Sequence, residues 1–454
     1  MEYNWINNFA KLSDNHTSIT FNDEFNEIIN PSTLPETIIS LTFGRYFNQK
    51  IEPNILPKSL TNLVFGAWFN QKIVPNTLPD SITSLIFGYD FNQGIYPNTL
   101  PENLITLKFG KRYNQKIGPN DLPKNIDTLV FGDNYNQIIE PNTLPENLVN
   151  LTFGDFFDRK IKPNSLPDSL TNLVFGFLFN QKIAPNSLSK SLTTLRFECH
   201  FNKKLEPNTL PDSLTNLTFG YCFNQKIEPN ILPGNLTDLT FGPLFNQKLE
   251  PNTLPESLTT LIFGWDFNQK IEPNTLPKLL TNLEFGHQFN RKIKPNILPK
   301  NLTNLEFGYN FNQKIKSNTF PKNLTNLKFD INFNQNIDWN MLPSNLKCIE
   351  FNWMYCNDLV DTINIINNIN ISSYIKMVNN IPNYYDVKIF LSDNSLGDAG
   401  LKWPIHVCQC DKYEWPLELY EVIDNYTHPN YGYITVLINK KSYQPYSFNK
   451  SDLK

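Results

Sequence analysis

Residue types that mark several protein classes are scarce in this sequence. Of 454 residues, 6 are cysteine, 5 are histidine and 4 are methionine. So few cysteines exclude a disulfide-built scaffold and fit a reducing compartment. Lysine and arginine total 39 against 43 aspartates and glutamates, giving a net charge of -4. The chain therefore lacks the basic excess of proteins that coat nucleic acid or anionic lipid.

Segments that would direct the chain into a membrane or a secretory route are also missing. No stretch approaches the roughly 18 consecutive apolar residues of a membrane-spanning helix. The first residues, Met1-Glu-Tyr-Asn-Trp, lack the basic and apolar regions of a secretory signal. We therefore expect an intracellular monomer without nucleic-acid or membrane partners.

What the sequence has instead is a repeat rich in phenylalanine (35 residues) and proline (33 residues). The string F-N-Q-K-I-x-P-N-x-L-P-x-S-L-T-x-L-x-F-G-x-x returns every 22 residues. Fifteen such units, from the one that begins at Phe25 to the one that begins at Phe333, cover residues 25–354 without an insertion. Self-similarity at this period predicts a solenoid in which each unit forms one coil.

Each unit predicts one short strand and an extended return. In the unit that begins at Phe47, the segment 60–65 alternates apolar and polar residues, as a strand with one buried face does. Pro53 and Pro57 remove backbone donors and fix φ, so the return half is not helical. We therefore expect a β-rich, leucine-rich-repeat-like solenoid with one short parallel strand per coil. Without convex-side helices, the stack should be straighter than a horseshoe.

Glycine and asparagine mark the bends of the predicted coil. Gly66 follows the strand, where a positive φ would suit glycine. One asparagine follows the first phenylalanine of the unit and another follows the first proline. Their side chains can bond the turn backbone and stack coil upon coil, whereas the Gln-Lys pair after the first asparagine should face solvent. The predicted ladder includes Asn48, Asn54, Asn70, Asn76, Asn180 and Asn186.

The string F-N-x-x-I-x-P-N, followed by L-P-x-S-L-T-x-L-x-F-G, resembles the FNIP repeat. That family is similar to leucine-rich repeats and occurs mainly in social amoebae and in giant viruses of amoebae. Some viral members carry an F-box ahead of the repeats, which implies a ubiquitin-ligase adaptor. Only residues 1–24 precede the first unit here, too few for that helical module, so we do not expect the adaptor role. The Asn/Ile/Lys/Tyr-rich composition fits an AT-rich genome, which both source groups have. The resemblance leaves a viral and an amoebal source open, and our hypothesis is a viral protein in the host cytoplasm.

The ends of the chain depart from the repeat. Residues 1–24 are predicted to cap the array, with Ser18–Phe21 as the strand of a degenerate first coil. Residues 355–454 lose the repeat, and their pattern predicts a small α+β domain that resembles no known family. Its expected elements are helices at 359–369, 372–381 and 417–426 and strands at 386–391, 405–410 and 433–438.

Positions that vary among the units are the candidates for a function. The outward strand residue and the two residues after the glycine vary freely. The coil does not need large side chains there, because other units carry Ala, Asp or Lys, and Trp, Tyr and Arg commonly anchor protein interfaces. Drift at unconstrained loop positions is the alternative for each residue. The candidate partner-binding residues are Trp68, Tyr89, Lys111, Arg112, Phe156, Phe177, Arg196, Tyr221, Trp265 and Tyr309.

A column of threonines permits two interpretations. The residue two places ahead of the strand leucine is threonine in ten units, including every unit from Thr171 to Thr325. A regular hydroxyl array is a feature of ice- or glycan-binding surfaces. A ladder that bonds neighbouring coils at the strand entry explains the same pattern more simply, and we favour it.

Signals for catalysis are weak. No Gly-rich phosphate loop, HExxH or GxSxG motif occurs, so we expect neither an enzyme nor a cofactor. Cys199 and His200 lie one coil before Cys222, with the two thiols one position out of register. A disulfide or a metal pair is possible there, but drift at loop positions is the favoured interpretation.

The segment 355–454 carries a second weak metal signal. His406, Cys408 and Cys410 alternate along a predicted strand and offer zinc ligands, although their spacing matches no known closed zinc site. Two hypotheses therefore stand. The favoured one is a non-enzymatic scaffold that binds a protein partner on the strand face and the following corner. The alternative is an enzyme or zinc module in residues 355–454, presented on an inert repeat stalk.

Overall fold

Short strands at a 22-residue spacing dominate the structure. The computed structural model describes residues 9–31, 33–330, 332–333, 335 and 341–346, and the backbone strands at 348–354, 386–393, 401–408 and 434–437. The chain divides into two compact units, Met1–Leu236 and Thr237–Lys454. Among the described residues, no helix is long and apolar enough to cross a membrane.

In the first unit, one antiparallel pair leads into a parallel sheet. β1 pairs with β2 in antiparallel fashion, and β2 to β11 then pair in parallel, each with the next along the chain. The strand of the expected degenerate first coil is therefore present as β2. The bounds are β1 Ala10–Leu12, β2 Ser18–Phe21, β3 Ser40–Thr42, β4 Asn62–Val64, β5 Ser84–Ile86, β6 Thr106–Lys108, β7 Thr128–Val130, β8 Asn150–Thr152, β9 Asn172–Phe175, β10 Thr194–Phe197 and β11 Asn216–Thr218.

The second unit continues the same pattern and then leaves it. β12 to β17 pair in parallel with their successive neighbours. β17 pairs in parallel with β18, β18 in antiparallel with β19, and β19 in parallel with β20. The bounds are β12 Asp238–Thr240, β13 Thr260–Ile262, β14 Asn282–Glu284, β15 Asn304–Glu306, β16 Asn326–Phe329, β17 Cys348–Met354, β18 Asp386–Asp393, β19 Leu401–Cys408 and β20 Ile434–Leu437.

The last three strands overlap the three that the sequence predicts between residues 386 and 438. The three predicted helices, at 359–369, 372–381 and 417–426, lie outside the described residues. The α+β domain therefore stays a prediction.

Each coil buries the apolar positions of its unit. The six apolar side chains of the coil that begins at Phe47 are at most 4% exposed. Two phenylalanine columns form the centre of this core. The ring centroids of Phe65 and Phe69, which begins the next coil, lie 3.8 Å apart, and those of Phe65 and Phe87, at the same position of successive coils, lie 5.6 Å apart. Each buried side chain contributes roughly 1.5–3 kcal/mol, most of it only when a neighbouring coil covers it.

The return half of the coil is extended and contains no helix. From residue 43 to residue 330, the described segments between strands consist of turns, bends and extended chain. A turn of the kind Leu60 N to Pro57 O, 3.1 Å, leads into each strand from β3 to β17. This confirms the predicted leucine-rich-repeat-like solenoid without convex-side helices.

The glycine after the strand is needed for a different reason from the one expected. No described glycine has a positive φ, so the prediction for Gly66 is wrong. A Cβ at Gly66 would instead overlap the carbonyl oxygen of Gly44 in the preceding coil. Glycine is required because the backbones of successive coils touch at this corner.

The asparagine after the proline supplies the positive φ. φ is 62° at Asn54, 66° at Asn76 and 58° at Asn186, in the left-handed region that asparagine tolerates better than most residues. These three side chains are exposed, and in the described part of the chain none of them forms a hydrogen bond. Their role thus differs from the predicted side-chain ladder: they turn the backbone.

The asparagine after the first phenylalanine does join successive coils. The Asn48 amide N–H donates to the side-chain oxygen of Asn26 at 2.8 Å, and the Asn70 amide donates to that of Asn48 at 2.9 Å. The Gln71 side chain also donates to the Asn48 carbonyl oxygen, at 3.0 Å. The prediction that this glutamine faces solvent is therefore wrong for such coils, because its amide reaches back to the preceding one.

The threonine column forms a second ladder. The Thr193 hydroxyl donates to the Thr171 carbonyl oxygen at 3.2 Å, and the Thr325 hydroxyl donates to that of Thr303 at 3.0 Å. These hydroxyls are occupied in bonds between coils at the strand entry. The arrangement favours the structural interpretation of the threonines over a hydroxyl surface for a ligand.

Candidate partner-binding surface

The two residues after each glycine form an outward corner held by the main chain. The second residue of each pair donates its N–H to the carbonyl oxygen of the first residue of the preceding pair, as from Trp68 N to Arg45 O at 2.9 Å. Six candidate aromatics at or beside this corner have 46–52% of their surface exposed: Trp68, Tyr89, Phe156, Phe177, Tyr221 and Trp265. Lys111, Arg112 and Arg196 are also exposed, whereas Tyr309 is half-buried.

Four successive coils of the first unit hold a group of five side chains, four of these candidates and Tyr46. The Trp68 ring lies 4.5 Å from the Tyr46 ring, and the charged groups of Lys111 and Arg112 each lie 5.7 Å from the centre of the Tyr89 ring. We call these five residues the first aromatic cluster. Cations over an aromatic face are attracted by its quadrupole, which orders the long side chains.

Two carboxylates fix the cations of the first aromatic cluster. Arg112 pairs with Asp90 at 3.0 Å, and Lys111 pairs with Asp133 at 3.0 Å. The hydrogen bond that Lys111 donates to Asp133, together with the negative charge of that carboxylate, raises the pKa of Lys111. A shallow depression beside this cluster is lined by Asn48, Trp68, Asn70, Asp90, Asn92 and Arg112.

A second set of rings lies in the second unit. Trp265 stacks on His287 with centroids 3.9 Å apart and an interplanar angle of 13°, and His287 lies 5.9 Å from Tyr309 at 3°. We call these three residues the second aromatic cluster. All three occupy the first position after the glycine in successive coils, so the 22-residue period places them in one column.

The other candidates lie outside the two clusters. Phe177 packs against His200 at 4.9 Å, and Arg196 pairs with Glu198 at 2.9 Å. Phe156 has no ring contact within the described residues. The structure thus groups some candidates and leaves others as single exposed side chains.

Two cluster members were missed as candidates in the sequence. Tyr46 occupies the same repeat position as Trp68, and His287 the same position as Trp265. A column-by-column comparison of the corner positions would have found both. What the sequence does not show is which neighbours in a column make contact.

Charged residues also meet on the outward strand positions of the second unit. Glu284 lies opposite Glu306 in the register of β14 and β15. Burial and the Glu306 charge raise the pKa of Glu284, and Lys328 pairs with Glu306. This column is therefore acidic on one coil and neutralised on the next.

The weak zinc candidates of the C-terminal segment are only partly placed. His406 and Cys408 both belong to β19, two residues apart. Cys410 lies outside the described residues. The zinc site that these residues would form stays a prediction.

The FNIP repeat profile matches the chain in eleven overlapping segments, 10–46, 25–67, 47–90, 69–112, 113–156, 157–200, 201–244, 245–288, 267–310, 289–329 and 311–353. Together they span residues 10–353, well over half of the sequence. The chain belongs to the FNIP repeat family. The resemblance inferred from the repeat string is confirmed, and the FNIP match begins 15 residues before Phe25, within the degenerate first coil.

The FNIP array is similar to a solved protein of the giant virus CroV, CroV588, described as a novel circular leucine-rich-repeat protein. The two are 47% identical with a TM-score of 0.71, over 73% of this chain and 52% of that one. This chain thus spans about half the length of that relative. The circular form described for that relative differs from the straight stack expected for this chain, which stays a prediction. No curated protein matches this sequence.

Proposed function

We propose that this FNIP repeat protein is a non-enzymatic scaffold that binds a protein partner through its post-strand corners and outward strand positions. The observation that carries the proposal is the first aromatic cluster. Trp68 is half exposed, yet it packs on Tyr46, and in the same cluster two cations of the next coil approach the Tyr89 ring. The coil has no need of these side chains, because Asp133 and Asn134 fill the corner two coils beyond that of Tyr89.

The chemistry of the two aromatic clusters fits a protein partner. Tryptophan, tyrosine and arginine supply large contact areas and directed hydrogen bonds, and they dominate the affinity of many interfaces. The corner that carries them is rigid, since main-chain bonds such as Trp68 N to Arg45 O tie each coil to the one before it. A rigid surface loses little conformational entropy when it binds.

The likeness to a giant-virus protein supports a viral origin for this chain. A viral origin makes a host protein the partner that we propose. On this proposal the protein acts in the host cytoplasm as a monomer, and its repeats present the two aromatic clusters to that partner. Residues 355–454 have no assigned part in it.

Site-specific photocrosslinking in host lysate tests the proposal. A photoreactive amino acid replaces Trp68 in one variant and Trp265 in another. Matched controls carry it at Tyr96 and Leu279, which are equally exposed, at 54% and 51%, but lie in the return half of the coil. We expect the same partner to be captured from position 68, from position 265 or from both, and from neither of the two control positions.

Alanine variants complete the test. Trp68→Ala and Trp265→Ala should weaken binding of the captured partner by tenfold or more, as expected for the loss of a central aromatic anchor. Tyr96→Ala and Leu279→Ala should leave it unchanged. Equal capture from all four positions, or equal binding by all four alanine variants, would refute the assignment of the binding face.

A further inference from the structure

One corner of the first unit interrupts the run of glycine corners from Gly44 to Gly308. From Gly44 to Gly308 each coil has glycine after its strand, except that Glu198 takes that place after β10. In the next coil Phe223 N donates to Gly220 O at 3.3 Å, but within the described residues no such bond joins Phe201 to Glu198. Instead, Tyr221 N donates to Glu198 O at 3.0 Å. The side chain at position 198 has changed the path of this corner.

The changed corner gathers three metal-ligating side chains from two coils. The ligand atoms of Cys199, His200 and Cys222 all lie within 4.8 Å of one another. Main-chain bonds hold the three residues in place: His200 N donates to Phe177 O at 2.9 Å, and Cys222 N donates to Cys199 O at 2.8 Å. Both are the regular corner bond, which sets the second residue of one pair beside the first residue of the preceding pair, so the offset of one position does not separate the two cysteines.

We propose that Cys199, His200 and Cys222 form a binding site for one Zn²⁺ ion, with a fourth coordination position open to solvent. Two thiolates and one imidazole are a ligand set that zinc prefers, and three protein ligands with an open position are common at zinc sites. Tetrahedral zinc with these ligands needs separations of roughly 3.4–3.8 Å between ligand atoms. Side-chain rotations bring atoms that already lie within 4.8 Å to those distances.

The surroundings of the site suit a cation. The two cysteines are half-buried, which shields their bonds to a metal, while His200 is exposed and leaves the open position accessible. The Phe177 ring packs on the imidazole at 4.9 Å and limits its orientation. Binding converts two thiols to thiolates, and their protons pass to solvent. No oxidant is needed, unlike in a disulfide between Cys199 and Cys222.

This proposal is independent of the partner surface. It rests on the placement of three side chains and would stand if no protein bound the aromatic clusters. It also differs from the weak signal at His406, Cys408 and Cys410, which lies in the other unit of the chain. The test must therefore separate the two sets of thiols.

The test uses the full chain in the Cys408→Ser/Cys410→Ser background, stripped of metal by a chelator and kept in reductant. Zn²⁺ is then titrated in competition with a coloured chelator, and Co²⁺ is added in parallel as a spectroscopic probe. We expect about one equivalent of Zn²⁺ per chain and a thiolate-to-cobalt charge-transfer band. Adding Cys199→Ser and Cys222→Ser should remove the band and weaken zinc binding at least a hundredfold.

Two further measurements keep the result unambiguous. His200→Gln retains both thiols and should weaken zinc binding at least tenfold while shifting the cobalt spectrum. Circular dichroism checks that the serine variants unfold at the same temperature as their background without metal. Unchanged zinc binding after Cys199→Ser/Cys222→Ser, no zinc binding by the background, or a Cys199–Cys222 disulfide that persists in reductant would each overturn the proposal.

Discussion

Replacing Gly110 with alanine tests why the repeat needs glycine at its corner. A Cβ at Gly110 would overlap the carbonyl oxygen of Gly88 and would lie 3.2 Å from the amide nitrogen of Tyr89. These are backbone atoms of the preceding coil, so no side-chain rotation can relieve the overlap. The two coils must move apart at this corner by more than about 1 Å to restore an ordinary van der Waals contact.

The cost follows from the bonds that this movement breaks. Phe87 N to Lys108 O and Arg112 N to Tyr89 O, each 2.9 Å, link the two coils on either side of the corner. Two hydrogen bonds at about 1 kcal/mol each, with overpacking strain of about 1–3 kcal/mol, amount to about 3–5 kcal/mol. In a repeat array a defect between two coils weakens the coupling that stabilises both.

Urea unfolding of the full chain, followed by far-ultraviolet circular dichroism, measures this loss. Gly234→Ala is the matched control, because a Cβ at Gly234 has no atom within 4 Å and its φ is not positive. That control should change stability by less than about 1 kcal/mol, in the stabilising direction. Equal unfolding midpoints for the two variants would show that close backbone approach is not what demands glycine here.

Two further substitutions test the ladder and the aromatic core by thermal unfolding. Asn180→Ala should lower the free energy of unfolding by about 1–3 kcal/mol, because the Asn202 amide loses its side-chain acceptor at 3.0 Å. Gln181→Ala should lower it by less, since Gln181 makes no hydrogen bond in the described structure. Equal melting temperatures for the two variants would contradict the ladder. Tyr113→Phe should be at least as stable as the wild type. The buried Tyr113 hydroxyl has no hydrogen-bond partner within the described residues, and burying an unbonded hydroxyl is unfavourable. The reverse change, Phe91→Tyr in the same column, should destabilise, and a loss of stability in Tyr113→Phe would show that the hydroxyl is bonded.

The buried positions of the coil could be predicted from the sequence, because packing repeats with the period. Phe47, Leu60 and Leu63 recur in register, and an apolar residue at a fixed place in fifteen units has few explanations other than the core. The strand was equally visible, since two-residue alternation ends at Phe65 and the prolines exclude a helix from the rest of the coil. Repetition turned a weak local signal into a strong one.

The roles of Gly66, Asn54 and Gln71 were not predictable in the same way. Each was conspicuous as a repeated residue, but repetition shows only that a position is constrained and leaves the kind of constraint open. Glycine serves both for positive φ and for close approach, and asparagine both for side-chain bonds and for the left-handed region. Deciding between these needed backbone angles and distances between coils, which depend on how far one coil lies from the next.

The sequence predicted which repeat positions form the candidate surface, but not which of the side chains at those positions contact one another. The corner positions could be identified because they vary while their neighbours do not. The pairing of Trp68 with Tyr46 depends on side-chain directions in coils 22 residues apart. No single-residue property carries that information.

The pair Cys199 and Cys222 shows how a repeat can hide a site from a comparison of columns. Counting positions places the two thiols in different columns, one position out of register. At the corners, however, the second residue of each pair donates its N–H to the carbonyl oxygen of the first residue of the preceding pair, as from Trp68 to Arg45. The bond from Cys222 N to Cys199 O is this same bond, so residues one position out of register become direct neighbours. Diagonal neighbours across successive corners are therefore where new chemistry on such a scaffold should be sought first.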